Sequence, residues 1–266
     1  MDISIVILNY KSKNDTINCI KSIKKSDFDN LIYEVIVVDN NSNDNIGKIL
    51  ISKYSDINFI QNKNNLGMGA GNNVGIKKAK GKYVVIMNPD TIVFKSTFKK
   101  LYDFMENNSQ TGIVGPLQYN IDKTIQNSCY RWHNLLTPLY RRTFLGKFKF
   151  GKKDLYRFLM KDFKHNTEKK VDWLLGSFLF CRANVFKKIG LFDERFFMYF
   201  EDTDLCRRVH KEGFNVIYYP KAKIIHNHKR QSAKNKWYKF FMNKMARSHI
   251  ISWLKYLLKW GIKSVR

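Results

Sequence analysis

The fold of this 266-residue chain is indicated first by residues 3–9, Ile3-Ser4-Ile5-Val6-Ile7-Leu8-Asn9. This run is short, almost wholly apolar and rich in β-branched side chains, which is typical of a strand buried on both faces of a parallel sheet. Residues 17–23 then carry isoleucines at helical spacing, and a second apolar run, residues 33–38, ends in Asp39. Two strand-helix units within about 45 residues predict an α/β fold with a doubly wound, mostly parallel sheet, where ligands bind outside the carboxyl ends of the strands.

Polar side chains stand at the ends of the predicted strands. Asn9 ends the first strand, and Asp39 ends the second, where it can accept hydrogen bonds from a ligand's ring N–H or ribose hydroxyl or else be a plain turn carboxylate. A later buried strand, residues 83–87, runs into Asn88-Pro89-Asp90. A lone carboxylate in that place suits a hard divalent cation that keeps waters and phosphate oxygens. The alternative for Asp90 is a helix cap.

A glycine-rich segment at residues 64–75 follows the third predicted strand, residues 57–60. Glycines at 67, 69 and 71 open a predicted helix and would allow a ligand to approach the backbone closely. The segment lacks the third glycine of the dinucleotide fingerprint and the Gly-Lys-Ser/Thr of a phosphate-binding loop. By itself the segment therefore indicates that a ligand can approach its backbone closely, but it does not identify the ligand.

The most concentrated acidic segment is residues 192–208, in which Asp193, Glu194, Glu201, Asp202 and Asp204 are interleaved with aromatic residues. Helical spacing of the apolar residues from 205 onward places Glu201 and Asp202 in the first turn of a helix. Acids there stabilise a helix by roughly 0.3–1 kcal/mol each, which is a sufficient structural explanation. The aromatic residues, however, can desolvate a carboxylate and raise its basicity, so that an ionised Asp becomes a candidate general base.

The chain carries 48 Lys and Arg against 22 Asp and Glu, a net charge of +26, which indicates anionic partners without choosing among them. The excess lies in a basic, aromatic insertion, residues 135–170, expected to be a mobile or surface segment, and after residue 212, where no acid occurs. The four cysteines, Cys19, Cys129, Cys181 and Cys206, are too far apart for a zinc ribbon or a disulfide framework. No apolar run reaches the roughly 18 residues of a bilayer span, and we expect a cytoplasmic protein.

The last segment, residues 229–266, contains eleven Lys or Arg and an apolar stripe that includes Trp237, Trp253, Leu254, Leu257 and Trp260. This pattern predicts a basic amphipathic helix that lies at an anionic membrane surface, or else packs on its own domain. We accordingly divide the chain into a catalytic domain, residues 1–228, and a helical tail, residues 229–266.

Six segments together resemble family 2 glycosyltransferases of the GT-A fold, most closely the rhamnosyltransferase-like branch that builds bacterial surface polysaccharides. They follow the family's order and spacing over about residues 3–228. The segments are residues 4–10, 37–42, 65–73, 87–91 (Met87-Asn88-Pro89-Asp90-Thr91), 173–176 (Trp173-Leu174-Leu175-Gly176) and 190–204.

The resemblance implies roles for particular residues. Asp202 of the Glu201-Asp202 pair would deprotonate the acceptor hydroxyl, and Asp90 with His226 would bind Mg²⁺ or Mn²⁺ on the donor diphosphate. The nucleotide would be held by Asn9, Asp39, Asn65, Gly67, Asn73 and Asn88, and the acceptor by Trp173 and Gly176. The family's Asp-x-Asp metal motif is here Asn88-Pro89-Asp90, and losing the first carboxylate would weaken metal binding.

The implied activity is that of a metal-dependent, inverting hexosyltransferase. It would move a sugar from a nucleotide-sugar donor, dTDP-rhamnose or a UDP-sugar, to a glycan or a lipid-diphosphate-linked acceptor at the inner face of the cell membrane. The alternatives are a basic nucleic-acid-binding protein and a catalytically inactive sugar-nucleotide-binding protein. Nucleic acid is not an expected partner, because the charge excess lies outside the α/β core. A sugar-nucleotide pyrophosphorylase would need a Gly-rich, Arg-containing loop where this chain has Asn9-Tyr10-Lys11-Ser12.

Overall fold

The computed structural model describes residues 1–227 and 244–261. Its strands are β1 Ile3–Asn9, β2 Tyr33–Asp39, β3 Ile57–Gln61, β4 Tyr83–Met87, β5 Thr91–Val93, β6 Thr111–Tyr119, β7 Ile125–Gln126, β8 Cys129–Tyr130, β9 Lys169–Lys170, β10 Trp173–Leu174, β11 Phe178–Arg182 and β12 Asn215–His226. Its α-helices are α1 Lys13–Lys24, α2 Ile46–Lys53, α3 Met68–Ile76, α4 Thr97–Asn107, α5 Thr137–Arg142, α6 Lys149–Phe158, α7 Ala183–Ile189, α8 Glu201–Lys211 and α9 Lys244–Trp260, with a 3-10 helix at Phe144–Lys147.

The main sheet has the order β3-β2-β1-β4-β11-β6-β12-β5. Strands β3, β2, β1 and β4 are parallel, which confirms the predicted α/β fold. Strand β11 runs antiparallel to both β4 and β6, whereas β6 and β12 are parallel. The sheet is therefore mixed at β11. The sequence did not predict this reversal, because the apolar pattern of a strand shows that it is buried but not which way it runs.

Two apolar layers cover the sheet, one on each face. In β1, Ile5 and Ile7 face a layer that includes Ile20 and Ile23 of α1. Val6 and Leu8 face the opposite layer, which the side chains of α3 and α8 also enter. Successive side chains of a strand point to opposite faces, so both faces of β1 are buried, as its continuous apolar pattern predicts.

The insertion at residues 135–170 is more ordered than the sequence suggested. It contains α5, the 3-10 helix and α6, and Phe158 at the end of α6 is fully buried beside Tyr130 and Trp173. The expectation of a surface location holds for Phe148 and Phe150, which are exposed. The segment forms helices although its periodicity is weak, because a few buried aromatic side chains anchor them, and its mobility stays a prediction.

The described part of the predicted tail is helix α9, which packs on the domain. Ser252 Oγ donates a hydrogen bond to Met198 O at 2.8 Å, and Tyr256 is buried beside Phe200. Helix α9 therefore packs on its own domain, as one of the two predicted arrangements has it, and its contact with a membrane stays a prediction. The domain boundary at residues 228 and 229, and Trp237, lie outside the described residues. Across residues 1–227 and 244–261 there is no helix with the length and apolar character to cross a membrane.

Candidate active site

The polar residues predicted at the strand ends lie along one edge of the sheet. Asn9 pairs with Asp39 at the ends of β1 and β2, and Met87 at the end of β4 pairs with both Ile7 and Phe178. Beyond Met87, the backbone N–H of Asn88 donates to Ser177 O at 2.9 Å. This edge is where ligands of open α/β sheets bind.

Asp39 is ionised and held by donors of its own chain. It is 2% exposed and accepts hydrogen bonds from Asn9 Nδ2 and Gln61 Nε2, each at 2.6 Å, and from the hydroxyl and backbone N–H of Ser42. Burial acts to raise the pKa of Asp39, but these hydrogen bonds outweigh it, and the pKa is lowered. A nucleotide would therefore have to take the place of one of these donors, and Gln61 is the exposed one.

The glycine-rich segment approaches the acidic segment rather than leaving space for a ligand. Gly67 has φ 85°, and a Cβ at this position would overlap the backbone of Phe197. Met68 N donates to Phe197 O at 2.7 Å. Asn65 Oδ1 accepts from Gly67 N at 2.9 Å, which fixes the start of α3.

Asn73 completes this support of the acidic segment. Its Nδ2 donates to Phe192 O at 2.9 Å and to Glu194 Oε1 at 3.0 Å, and its Oδ1 accepts from Phe192 N. The hydrogen bonds of Asn65 and Asn73 and the close contact of Gly67 thus give these residues a supporting role, and their contact with a nucleotide remains a prediction.

The two predicted metal ligands lie together. His226, the last residue of β12, pairs with Thr91, which directly follows Asp90, and its Nε2 lies 3.3 Å from Asp90 Oδ1. His226 Nδ1 lies 2.6 Å from Gln126 Oε1, so that Nδ1–H donates to this oxygen and the Nε2 side of the ring faces Asp90. A histidine oriented in this way by its second nitrogen is typical of a metal ligand.

The donor set fits a cation whose remaining ligands come from a diphosphate and water. The described residues contain no group of three or more His, Cys, Asp or Glu side chains that could hold a metal ion. Mg²⁺ commonly uses one or two carboxylates together with substrate phosphates, so Asp90 and His226 would hold such a cation only together with a bound diphosphate.

The carboxylate pair begins helix α8 after a strained turn. Tyr199 has φ 70° and Phe200 φ 67°, both in the left-handed region that costs a non-glycine residue free energy. Asp202 is buried, and its Oδ2 accepts from Gly176 N at 2.9 Å while its Oδ1 accepts from Thr203 N at 2.7 Å. The strained turn therefore aims Asp202 at the β10–β11 connection, next to Ser177.

Both carboxylates of the pair are more basic than usual. Burial raises the pKa of Asp202, although the hydrogen bonds from Gly176 and Thr203 act against this effect. Burial and the neighbouring Asp202 raise the pKa of Glu201 to about 8. Glu201 Oε2 is buried without a hydrogen-bond partner among the described residues, as expected for a protonated group or one that awaits a ligand. Asp202, with its oxygens oriented, is the better placed base.

The two predicted acceptor residues differ in position. A Cβ on Gly176 would lie 3.2 Å from Cβ and 3.4 Å from Oδ2 of Asp202, so glycine keeps the carboxylate close to the backbone. Trp173 is 4% exposed, stacks on Tyr130, and donates from Nε1 to Arg131 O at 3.0 Å. Trp173 is thus a core residue in this structure, and its contact with an acceptor remains a prediction.

The partners that hold Asp204 were not recognised in the sequence. Asp204 is 0% exposed and accepts from Arg208 Nε at 2.9 Å and Trp260 Nε1 at 2.8 Å, and it forms an ion pair with Lys259 at 2.6 Å. The spacing of four residues between Asp204 and Arg208 was a readable signal. The two partners on α9, Lys259 and Trp260, lie more than fifty positions away, and no pattern in the sequence pointed to them.

Comparisons with known proteins identify the family of the chain. The family model for glycosyl transferase family 2 matches residues 4–189, well over half of the chain. A low-salt glycan biosynthesis hexosyltransferase of Haloferax volcanii is 29% identical over 237 residues, which is 85% of this chain and 67% of that protein. An N-acetylglucosaminyl-diphospho-decaprenol L-rhamnosyltransferase of Mycobacterium tuberculosis is 28% identical over 204 residues, 73% of this chain and 66% of that protein. The rhamnosyltransferase WbbL of Escherichia coli is 26% identical over 257 residues, 92% of this chain and 90% of that protein. The chain thus spans about two thirds of the length of the first two relatives.

Solved glycosyltransferases share the fold. A mannosyltransferase from Pyrobaculum calidifontis, in complex with GDP-Man and Mn²⁺, aligns with a TM-score of 0.64 at 14% identity over 99% of this chain and 65% of that chain. TarS residues 1–349 of S. aureus in complex with UDP align with a TM-score of 0.56 at 17% identity over 86% of this chain and 61% of that chain. The mixed sheet is therefore the GT-A fold. With residues 4–189 matching the family model and rhamnosyltransferases among its relatives, the chain belongs to glycosyl transferase family 2, in its rhamnosyltransferase-like branch.

Proposed function

We propose that this protein is an inverting glycosyltransferase that moves a sugar from a nucleotide-diphosphate sugar, dTDP-rhamnose or a UDP-sugar, to a hydroxyl of a glycan or lipid-diphosphate-linked acceptor in cell-surface polysaccharide synthesis. The observation that carries the proposal is Asp202, a buried carboxylate of raised pKa held by Gly176 at the ligand-binding edge of the sheet. The names of the relatives from M. tuberculosis and E. coli support the choice of sugar and acceptor class.

The proposed reaction needs one base. Asp202 accepts the proton of the acceptor hydroxyl while the hydroxyl oxygen forms a bond to the anomeric carbon of the donor. The bond from that carbon to the diphosphate breaks, and the nucleoside diphosphate leaves with the electron pair. A single displacement of this kind inverts the anomeric configuration. Glu201 lies next to the base in the same buried site, and burial and Asp202 raise its pKa to about 8, so Glu201 stays protonated while Asp202 is ionised.

Asp90 and His226 would hold Mg²⁺ or Mn²⁺ against the donor diphosphate, where the cation offsets the charge that develops on the leaving group. Asn9 and Asp39 would orient the nucleotide base at the ends of β1 and β2. Asn88, whose backbone N–H donates a hydrogen bond to Ser177 O, would contact the donor between the nucleotide base and the cation.

The experiment that tests the proposal supplies the purified protein with dTDP-rhamnose, UDP-sugars or GDP-sugars and a lipid-diphosphate-linked sugar acceptor. We expect one donor to give a glycosylated product whose new linkage has the opposite anomeric configuration to the donor, as read by NMR coupling constants. Retained configuration, or no transfer from any donor, would refute an inverting transferase.

Metal dependence is expected to follow from Asp90 and His226. Asp90→Ala should raise the concentration of Mg²⁺ or Mn²⁺ needed for half-maximal transfer, and His226→Ala should do so to a smaller extent, because a carboxylate is the better ligand for these hard cations. The readouts are metal titrations of activity and of donor binding. Full activity of the wild type in excess chelator would contradict this role.

The described tail helix also supports the proposed membrane association. Ile251, Leu254 and Leu258 are all exposed, Leu258 to 87%, and their spacing places them on one face of α9. Together with the basic residues of the tail, this face suits the headgroup boundary of an anionic membrane on the cytoplasmic side. We expect sedimentation with anionic liposomes, weakened by salt and by the double change Leu254→Ser and Leu258→Ser. Equal sedimentation with neutral liposomes would argue against it.

A further inference from the structure

A group of basic side chains and one tyrosine lies beside the carboxylate pair, and no acidic partner for it occurs within residues 1–227 and 244–261. It consists of His133, Arg141, Arg142, Tyr199 and His249, and is called the arginine cluster below. The guanidinium of Arg142 lies 5.6 Å from the ring centroid of Tyr199, whose ring lies 5.0 Å from that of His249. The guanidinium of Arg141 lies 5.1 Å from the ring centroid of Phe158, and the ring of His133 lies 4.7 Å from the same phenylalanine.

The cluster adjoins the proposed base through one residue. The ring of Phe200 lies 4.9 Å from that of His133 and 5.3 Å from that of His249. Phe200 directly precedes Glu201, so a ligand group held by the cluster would lie beside the acceptor position at Asp202. The proposed metal ligands, Asp90 and His226, belong instead to the β5–β12 side of the sheet edge.

The positive charge of the cluster is not compensated. Among the described residues, the ion pairs of arginines join Arg157 to Asp154, Arg195 to Asp193 and Arg208 to Asp204, and none includes Arg141 or Arg142. Burial lowers the pKa of Arg142, and nearby Arg141 adds to the effect. Arg141 is exposed and Arg142 is half-buried, so the cost of the missing counter-ion falls on Arg142, and this arrangement favours a bound anion.

The histidines are in the form that can donate to such an anion. Burial and the neighbouring arginines lower the pKa of both His133 and His249, which keeps the rings neutral. The Nδ1 of His133 is enclosed and has no hydrogen-bond partner among the described residues. A neutral imidazole can donate one N–H to a phosphate oxygen, and guanidinium groups bind phosphates in a bidentate manner.

Apolar side chains border the cluster on the solvent side. Leu135, Leu136 and Leu139, which precede or lie on α5, are all exposed, and Phe144 follows the two arginines with its ring exposed. A ligand that joins an anionic head to an apolar chain would contact both features. A nucleoside diphosphate has no such chain.

We propose that the arginine cluster binds the diphosphate of a lipid-diphosphate-linked acceptor, and that the exposed leucines of residues 135–139 contact the first units of its lipid. This inference rests on the proposed function and names the part of the acceptor that the protein recognises. In such an acceptor the diphosphate is attached to the sugar whose hydroxyl reacts. Such an acceptor requires an anion site near Asp202, and the cluster adjoins the Glu201-Asp202 pair through Phe200.

The test measures binding, so it does not require turnover. Farnesyl diphosphate, inorganic pyrophosphate and UDP are titrated into the wild type, into an Arg141→Gln, Arg142→Gln double variant, and into a control that loses the same charge from exposed lysines of α6, Lys152→Gln and Lys153→Gln. We expect the arginine variant to bind farnesyl diphosphate at least tenfold more weakly, with UDP binding unchanged, and the lysine control to bind like the wild type. Arg142→Lys, which keeps the charge, should bind farnesyl diphosphate with an affinity between those of the wild type and the arginine variant. This intermediate affinity would show that the loss in the arginine variant does not come from misfolding.

Further measurements show whether the cluster binds the diphosphate of a lipid-linked acceptor or that of the nucleotide donor. A Leu136→Ser, Leu139→Ser variant should bind farnesyl diphosphate more weakly than the wild type but bind inorganic pyrophosphate equally well, because only farnesyl diphosphate has an apolar chain. Competition between UDP and farnesyl diphosphate, or an equal loss of UDP binding in the arginine variant, would assign the cluster to the donor and overturn the proposal. If the lysine control lost farnesyl diphosphate binding to the same extent as the arginine variant, the attraction would be a non-specific effect of positive charge, and this result would also overturn the proposal. If the protein binds farnesyl diphosphate as expected but transfers no sugar, the proposed function fails and the anion site stands.

Discussion

Asp202→Asn is expected to reduce sugar transfer by about 10²–10⁴-fold while donor binding stays unchanged. The amide keeps the shape of the carboxylate and can still accept the hydrogen bond from Gly176 N, but it cannot take the proton of the acceptor hydroxyl. The measurement is turnover at saturating donor and acceptor, together with donor binding by calorimetry. Near wild-type turnover would show that Asp202 is not the base.

Glu201→Gln is the matched comparison, because the amide keeps the shape of the neighbouring side chain and leaves the proposed base. We expect a smaller loss of activity than for Asp202→Asn, and an acidic limb of the pH–rate profile at the same pH as in the wild type. The reason is the order of titration: burial and Asp202 raise the pKa of Glu201 to about 8, so Glu201 is already neutral where Asp202 titrates, and its amide resembles that neutral form. In both proteins activity should fall as the pH drops, since a protonated Asp202 cannot accept a proton. A Glu201→Gln loss as large as that of Asp202→Asn would assign the base role to Glu201.

Asp204→Ala is expected to lower the free energy of unfolding by about 3–5 kcal/mol. Asp204 is fully buried, and its removal leaves the side chains of Arg208 and Lys259 without their shared carboxylate and Trp260 Nε1 without its acceptor. Breaking a buried ion pair on one side costs more than the pair contributes, because a charge remains uncompensated. The measurement is equilibrium denaturation by urea.

The control for Asp204→Ala is Asp103→Ala, which breaks an ion pair with the same spacing of four residues on the surface of α4. Asp103 pairs with Lys99 at 2.7 Å, but its side chain is 49% exposed, so solvent screens the interaction and the cost should stay below about 1 kcal/mol. Equal losses in the two variants would mean that Asp204 is not a buried anchor for α9.

The anchoring of α9 changes how the tail should be studied. Lys259 bonds both Asp193 and Asp204, and Trp260 bonds Asp204, so a deletion that removes the helix would also disturb the segment that carries Asp202. Substitutions on the exposed face of α9, at Leu254 and Leu258, leave these contacts in place and are the cleaner test of membrane association.

Local patterns in the sequence were sufficient for the buried strands of the parallel half of the sheet and for the edge at which polar residues follow them. The continuous apolar run of β1 predicted a strand buried on both faces, because side-chain alternation is a property of the local chain. The helices between the first strands predicted parallel neighbours, whose ends meet at one edge, but the reversed direction of β11 depends on its pairing with β4 and β6. The acidic first turn of α8 was readable for the same reason, since helical spacing and the helix N-terminus are local features.

The partners of these elements were decided by the tertiary structure. Gly67 and Asn73 were readable as a flexible turn and an amide, but the backbone they approach belongs to residues 192–197, over a hundred positions later. Lys259 and Trp260 read as parts of a basic amphipathic helix, and only the fold shows that they close over the buried Asp204. The physical reason is that periodicity and residue type specify which surface a segment must bury, whereas the surface that covers it is chosen by packing and charge pairing between segments that are distant in sequence.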